Sequence, residues 1–256
     1  MERLKMFDLS GKVAVVTGGC SGLGIVFGTA LAEAGADIAV VDLMVGTPQG
    51  EEAASKIARM GTKVSSFKCN VTDVESVDAM VADVVKEFGR IDILVNSAGL
   101  FGDNKRVWEM EPSNWDKVLA VDLKGTFLCC GAVARVMLKQ NSGKIINIAS
   151  ASSFKAMSGM AAYSAAKAGV VMLTKTLALE LARYNVQANT LSPGYFITPL
   201  NKDFFDSEAG QKMISMWPMR RPGALEELMG IIIYLASSAS DYTTGTEMII
   251  DGGQWL

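Results

Sequence analysis

A chain of 256 residues, half of them hydrophobic and 20% charged, is long enough to bury a sizeable core and fits one large α/β domain. Its net charge of −3 implies no basic face, which argues against nucleic acid as a partner, and no uninterrupted apolar run reaches membrane-spanning length. There is no histidine at all, which removes Ser-His-Asp triads, histidine zinc sites and histidine general bases together.

The four cysteines, Cys20, Cys69, Cys129 and Cys130, lack CxxC spacing. They are expected to be small buried hydrophobes in a reducing compartment, and no metal site is expected. Met1-Glu2-Arg3-Leu4-Lys5 lacks the apolar core of a signal peptide, so a cytoplasmic protein is expected.

Along the chain, short β-branched runs alternate with longer helical patterns. A strand over 13–16 leads to a helix over 22–34, and a strand over 38–41 to a helix over 49–60. Strand 64–67 precedes a helix over 74–88, and strand 91–95 precedes a long helix opened by Ser113-Asn114-Trp115-Asp116, a capping-box pattern with Asp for Glu. Strand 144–148, the helix carrying Tyr163 and running to 184, strand 186–191, helix 225–236 and strand 247–250 complete the series. Near-continuous apolar strands alternating with helices predict a parallel sheet covered on both faces. Right-handed crossovers make it a single-domain, Rossmann-type doubly wound sheet of about seven strands, with ligands outside the carboxyl ends of its strands.

Thr17-Gly18-Gly19-Cys20-Ser21-Gly22-Leu23-Gly24 lies at that edge, after the first strand and opening the first helix. Glycines let a ligand approach the main chain, and a helix N-terminus offers free N–H groups to a pyrophosphate. Asp42 ends the second strand about twenty residues later. A carboxylate there accepts hydrogen bonds from an adenosine ribose and repels a 2′-phosphate. Ser21 and Leu43, where a phosphate clamp would sit, are not basic. The reading is NAD(H) rather than NADP(H); the bland alternative is that Asp42 only caps its strand.

Strand 144–148 runs on through Ala149 to the hydroxyl of Ser150, and Tyr163 lies four residues before Lys167 in an alanine-rich helix. Residues four apart share one helix face. A free phenol titrates near ~10 and is a poor base at neutrality, whereas a nearby ammonium favours the phenolate. This pair therefore suits a general acid/base, with Ser150 holding a carbonyl oxygen beside it. A Tyr and a Lys four apart are also a common accident, so the reading needs the glycine-rich turn as partner.

With Thr17-Gly18-xxx-Gly22-x-Gly24, Asn96-Ser97-Ala98-Gly99, Ser150, Tyr163-xxx-Lys167 and Pro193-Gly194 in order, the chain resembles the short-chain dehydrogenase/reductase family over residues 9–253. Ser150 precedes Tyr163 by thirteen residues, as in that family. The resemblance implies that Tyr163 handles the proton, Lys167 favours the phenolate and binds the nicotinamide ribose, and Ser150 orients the substrate. It also implies that Asn96, Ala98 and Gly99 line the adenosine-ribose side, and that Pro193, Gly194, Ile197 and Thr198 bracket the carboxamide. Three positions depart from the family pattern. Asp122 stands for the fourth catalytic residue, an Asn; Asn70, beside Val71, stands where an adenine-contacting Asp is usual; and Ser97 replaces an Asn.

Residues 151–162 and a lid over 195–222, rich in Met and aromatic residues, are expected to cover a small-molecule substrate, with 101–108 adding a wall. Lys155 and Asn104 are candidate polar contacts, though a solvated role suits both. The 195–222 segment reads equally as an ordinary amphipathic helix. The resemblance implies a homotetramer built on the Asp116 and Tyr163 helices, with Gln254-Trp255-Leu256 at another contact. Within the family, the pattern from Phe7 to Lys12 is similar to sugar-acid and polyol members such as gluconate 5-dehydrogenases. Reductases of cyclic, steroid or 3-oxoacyl ketones, and a non-catalytic NAD-binding scaffold or redox sensor, stay open.

Overall fold

In the computed structural model, residues 5–198 and 201–256 are described. Residues 1–4 of the amino-terminal stretch, and Pro199 and Leu200 of the 195–222 segment, lie outside them. Seven parallel strands form one sheet in the order β3-β2-β1-β4-β5-β6-β7. They are β1 (Val13–Thr17), β2 (Asp37–Asp42), β3 (Val64–Lys68), β4 (Ile93–Asn96), β5 (Gly143–Ile148), β6 (Val186–Pro193) and β7 (Glu247–Ile250).

The helices are α1 (Gly22–Glu33), α2 (Pro48–Ala58), α3 (Val74–Phe88), α4 (Pro112–Leu119), α5 (Thr126–Gln140), α6 (Ala161–Leu181), α7 (Lys202–Asp206), α8 (Glu208–Ile214) and α9 (Met229–Ala236). Successive side chains of a strand face opposite ways, so β1 feeds two cores. Ala14 and Val16 pack with Phe27, Leu31 and Ile232 of α1 and α9. Val13 and Val15 pack with Val77, Val84, Val133 and Met137 of α3 and α5. All four cysteines are free and buried. Among the described residues, no helix is long and apolar enough to cross a membrane.

The sheet and the existence of each main helix follow the sequence pattern, and three local expectations are corrected. The predicted capping box at Ser113 does not form: α4 begins at Pro112, whose missing N–H suits a first helical position, with Glu111 as N-cap. The long helix is present but not uniform: α4 runs into α5 through a π-helical segment, Ala120–Gly125, with right-handed helical backbone across both junctions. The expected helix 225–236 opens as a 3₁₀ turn, Leu225–Leu228, before α9.

Among the described residues of 195–222, the helices are the short α7 and α8 rather than one amphipathic helix. Phe205, Ile214 and Trp217 make a small core of their own there. At the carboxyl end, Trp255 packs within the chain, its ring centroid 6.2 Å from that of Tyr195, and Leu256 is exposed.

Candidate active site

The turn after β1 is built by steric necessity. Gly18 has φ +67, and a Cβ there would lie 2.9 Å from the Ala98 main chain, so this turn and the one after β4 touch backbone to backbone. A Cβ on Gly24 would lie 2.1 Å from the Gly18 carbonyl oxygen. Ser21, the N-cap of α1, makes no side-chain cap, and the first acceptor bond of the helix is Ile25 N–H to Ser21 O at 3.4 Å. The N–H groups of Gly22, Leu23 and Gly24 are therefore left at the positive end of the helix dipole, where an anionic phosphate fits. Beyond Gly22 the space is open.

Asp42 closes this cradle. Its Oδ2 accepts from Cys20 N at 3.1 Å and its Oδ1 from Met44 N at 3.0 Å. A carboxylate has about four lone-pair positions, so two remain for sugar hydroxyls. Leu43 beside it is exposed. The amide oxygen of Asn70 accepts from Thr72 N at 3.1 Å and from Thr72 Oγ1 at 2.9 Å, so it stiffens its own turn.

Thr17 joins the β1 and β4 turns: its Oγ1 accepts from Ser97 N at 3.2 Å and Ala98 N at 3.3 Å. Asn96 turns its side chain inward, donating from Nδ2 to Asn147 Oδ1 at 2.8 Å and to Cys130 Sγ at 3.2 Å. Asn147 Nδ2 in turn donates to Thr174 Oγ1 at 2.8 Å. Burial pushes the Cys130 thiol up to about 12, although its sulfur accepts from Asn96 Nδ2 and its S–H donates to Asn147 Oδ1 at 3.4 Å, so it stays a neutral member of this network. The network ties the carboxyl ends of β4 and β5 to α5 and α6. Sequence reading missed Thr17 and Asn147 as organisers; their partners lie up to 81 residues away, beyond any local pattern.

Lys167 and Tyr163 are 5% and 9% exposed on α6. The Lys167 ammonium donates to Ile148 O at 3.0 Å, pairs with Asp122 Oδ2 at 3.1 Å, and lies 5.4 Å from the Tyr163 ring centroid. Asp122 sits in the π-helical segment with no exposed surface. Its Oδ1 accepts from Leu100 N at 2.7 Å, and its main-chain carbonyl accepts from Thr126 Oγ1 at 2.7 Å. Burial pushes the Asp122 carboxyl above the usual carboxylate range, and Lys167 and the Leu100 N–H pull it part of the way back. A Cβ on Gly99 would come within 3.0 Å of Asp122 Oδ2 and 3.3 Å of Lys167 Nζ, so this glycine gives the ion pair its room.

Ser150 caps the 3₁₀ turn Ala151–Ser153, its Oγ accepting from Ser152 N at 3.2 Å. That leaves the hydroxyl proton of Ser150 available to a substrate oxygen. The turn packs directly on α6.

Over the phenol lies Phe101, 69% exposed, with ring centroids 4.7 Å apart and planes at 30°. Tyr195 lies near enough to Tyr163 to feel its charge; burial, and then the neighbouring Tyr163, push its phenol above the usual range, and its ring stacks on Trp217 at 5.4 Å. Gly194 is packed so closely that a Cβ would meet Gln254 Oε1 at 2.4 Å, and the same Oε1 accepts from Tyr195 N at 2.8 Å. Ile197 N donates to Gly223 O at 2.9 Å and Thr198 N to Asn201 Oδ1 at 2.7 Å, so their amides are engaged within the chain. Lys155 lies 5.7 Å from the Trp255 ring, and Asn104 is exposed beside Gly159.

A family model described as enoyl-(acyl carrier protein) reductase matches residues 18–254. The chain is 37% identical over 255 residues to the 2-dehydro-3-deoxy-D-gluconate 5-dehydrogenase of Dickeya dadantii, covering 99% of this chain and 98% of that protein. It is 40% identical over 248 residues to the D-threitol dehydrogenase of Mycolicibacterium smegmatis, covering 96% and 94%. Among solved structures, a gluconate 5-dehydrogenase from Burkholderia cenocepacia in complex with NADP and tartrate is similar at TM-score 0.92, 37% identity and 98% coverage of both chains. An NAD⁺-bound xylitol dehydrogenase is similar at TM-score 0.90 and 34% identity, covering 96% of this chain and 99% of that one.

Proposed function

Because the chain belongs to the short-chain dehydrogenase/reductase family, we propose that it transfers a hydride between NAD(H) and a secondary alcohol or ketone of the polyol, sugar or sugar-acid class. Its family relatives are sugar-acid and polyol dehydrogenases, which supports an oxidoreductase acting on secondary alcohols. The observation that carries the reading is the buried Tyr163–Lys167 pair, its ammonium held by Ile148 O and Asp122, against the turn that starts at Ser150.

Free N–H groups at the start of α1 and the carboxylate of Asp42 suit a dinucleotide: Gly18, Gly22, Leu23 and Gly24 would hold the pyrophosphate and Asp42 the adenosine ribose. Bound nicotinamide supplies the hydride acceptor or donor. In the oxidative direction, the Tyr163 phenolate takes the hydroxyl proton of the alcohol while the Ser150 hydroxyl fixes that oxygen. In the reductive direction, Tyr163 returns a proton to the carbonyl oxygen, and the Ser150 O–H stabilises the negative charge that develops there. Lys167, paired with Asp122 at 3.1 Å, favours the phenolate and offers donors to the nicotinamide ribose. Phe101, stacked on the phenol, would flank the substrate.

Asp42, with non-basic Ser21 and Leu43 beside it, supports NAD(H) over NADP(H); related enzymes include an NADP complex and an NAD⁺ complex, so the choice rests on this chain's own residues. A homotetramer and a cytoplasmic location belong to the same reading; an apolar groove lined by Leu119, Leu123, Phe127 and Leu173 supports association between copies of the chain. The test is reduction of NAD⁺ and NADP⁺ across a panel of polyols, sugar acids, secondary alcohols and hydroxysteroids. A polyol or sugar-acid substrate used with NAD⁺ is the expected result. Turnover restricted to hydroxysteroids, or to NADP⁺, contradicts the substrate or cofactor half respectively.

A further inference from the structure

Joined to the Ser150 turn through Ser153 lies a carboxylate, that of Glu247, which the mechanism above does not use. Glu247 opens β7 and pairs in register with Thr190 of β6. Side chains two apart on a strand share a face, so Ser192 is the diagonal neighbour of Glu247 across this pair. The Ser192 hydroxyl, fully buried, donates to Glu247 Oε1 at 2.6 Å. The same oxygen lies 2.7 Å from Ser153 Oγ, whose single proton it shares with Ser150 O at 2.6 Å.

One carboxylate oxygen thus joins three segments. Ser153 ends the turn that Ser150 caps, and its backbone N–H also donates to Ser150 O at 2.9 Å. Ser192 immediately precedes Pro193 and Gly194, and Gly194 N donates to Ile250 O at 2.9 Å on the strand that Glu247 begins. Bonds to an ionised acceptor are about twice as strong as neutral ones, and a buried hydroxyl left without its acceptor carries a desolvation cost. The arrangement fixes the substrate-orienting hydroxyl and the turn expected to face the nicotinamide relative to each other.

We propose that Glu247 is a positioning residue for hydride transfer, coupling the Ser150 turn to the Ser192-Pro193-Gly194 turn through its shared oxygen. The proposal rests on the assignment of Ser150 and Tyr163 above. Gln keeps an oxygen acceptor at the same place, whereas Ala removes it, so the two variants separate positioning from charge.

The experiment compares wild type, Glu247→Gln, Glu247→Ala, Ser153→Ala and Tyr163→Phe in steady-state turnover, with thermal unfolding and ADP-ribose affinity measured in parallel. Glu247→Ala is expected to lower kcat by about tenfold, which corresponds to ~1.4 kcal/mol in the barrier. Its affinity for ADP-ribose, which lacks the nicotinamide expected to face the Ser192-Pro193-Gly194 turn, changes by less than about twofold on the same reasoning. Glu247→Gln restores kcat to within about threefold, a residual under ~1 kcal/mol. Ser153→Ala, which leaves the Glu247–Ser192 contact intact, also lowers kcat and keeps the test available if Glu247→Ala does not fold.

Wild-type kcat in folded Glu247→Ala overturns the proposal, as does wild-type kcat in Ser153→Ala, or a Gln variant as impaired as the Ala variant. Full turnover in Tyr163→Phe removes the assignment of the catalytic site itself, and this proposal with it. If Tyr163→Phe is inactive while the Glu247 variants are normal, only the coupling is wrong.

Discussion

Lys167 holds its ammonium among three groups: the Ile148 carbonyl at 3.0 Å, the Asp122 carboxylate at 3.1 Å and the Tyr163 ring. The family resemblance expects an amide at position 122, so the carboxylate of Asp122 departs from that pattern by a negative charge. An anion beside the ammonium weakens the help that the ammonium gives to a phenolate. Asp122→Asn is therefore expected to move the acid limb of the pH–rate profile for alcohol oxidation to lower pH. An unmoved limb in that variant would mean that Asp122 does not act on the proton relay. Stability carries a second signature. Burial raises the Asp122 carboxyl in the folded chain, so folding favours its protonated form. That contribution is complete below the ordinary carboxylate value near ~4 and is lost as pH rises through the raised folded value. Denaturant titrations across pH should show wild type losing stability over this window relative to Asp122→Asn.

The β1–α1 turn depends on shape more than on any side chain. A methyl group on Gly24 would sit 2.1 Å from the Gly18 carbonyl oxygen, against backbone that has no easy way to move. Gly24→Ala should lower stability by about 1–3 kcal/mol, as overpacked positions do, and weaken NADH binding in fluorescence titration. Asp42 acts on the same turn through Cys20 N and Met44 N. Asp42→Ala should reduce the preference for NAD⁺ over NADP⁺, in kcat/KM, by roughly tenfold or more, the worth of about one charge-assisted hydrogen bond. An unchanged ratio would assign cofactor choice to other residues. Such local pieces were legible in the sequence because glycine spacing, β-branched runs and the i,i+4 pair are short-range signals. The start of α4 was not: Pro112 outcompeted Ser113 as the helix opener. The π-helical segment was also hidden, because one extra residue in a turn leaves no mark on periodicity. Nor did the sequence show Phe101 stacked on Tyr163, a contact 62 residues apart that only the assembled sheet edge creates.

A doubly wound sheet brings the ends of β1, β4, β5 and β6 together, and the site is assembled from those ends. The alternation of strands and helices made this architecture readable from the chain. Pairings such as Asp122 with Lys167 and Thr17 with Ala98 emerge only from the finished topology. The same topology leaves Phe127 of α5 exposed, at 55%, in the apolar groove with Leu119, Leu123 and Leu173. Monomers rarely leave a large contiguous apolar patch uncovered, and closed symmetric assembly is the common remedy. Light scattering should give four times the 27.2 kDa chain mass. Phe127→Asp, in the groove with Leu123 and Leu173, should yield a smaller species, whereas a monomeric wild type would contradict the tetramer.

The central claim, proton transfer by Tyr163 during hydride transfer, is tested most directly by steady-state NAD⁺ reduction in wild type and Tyr163→Phe, with NADH binding measured on both. The prediction is unchanged NADH binding and a loss of turnover of about 10²–10⁴-fold in the variant, the usual contribution of a positioned general acid/base. Turnover in Tyr163→Phe equal to that of wild type would contradict it.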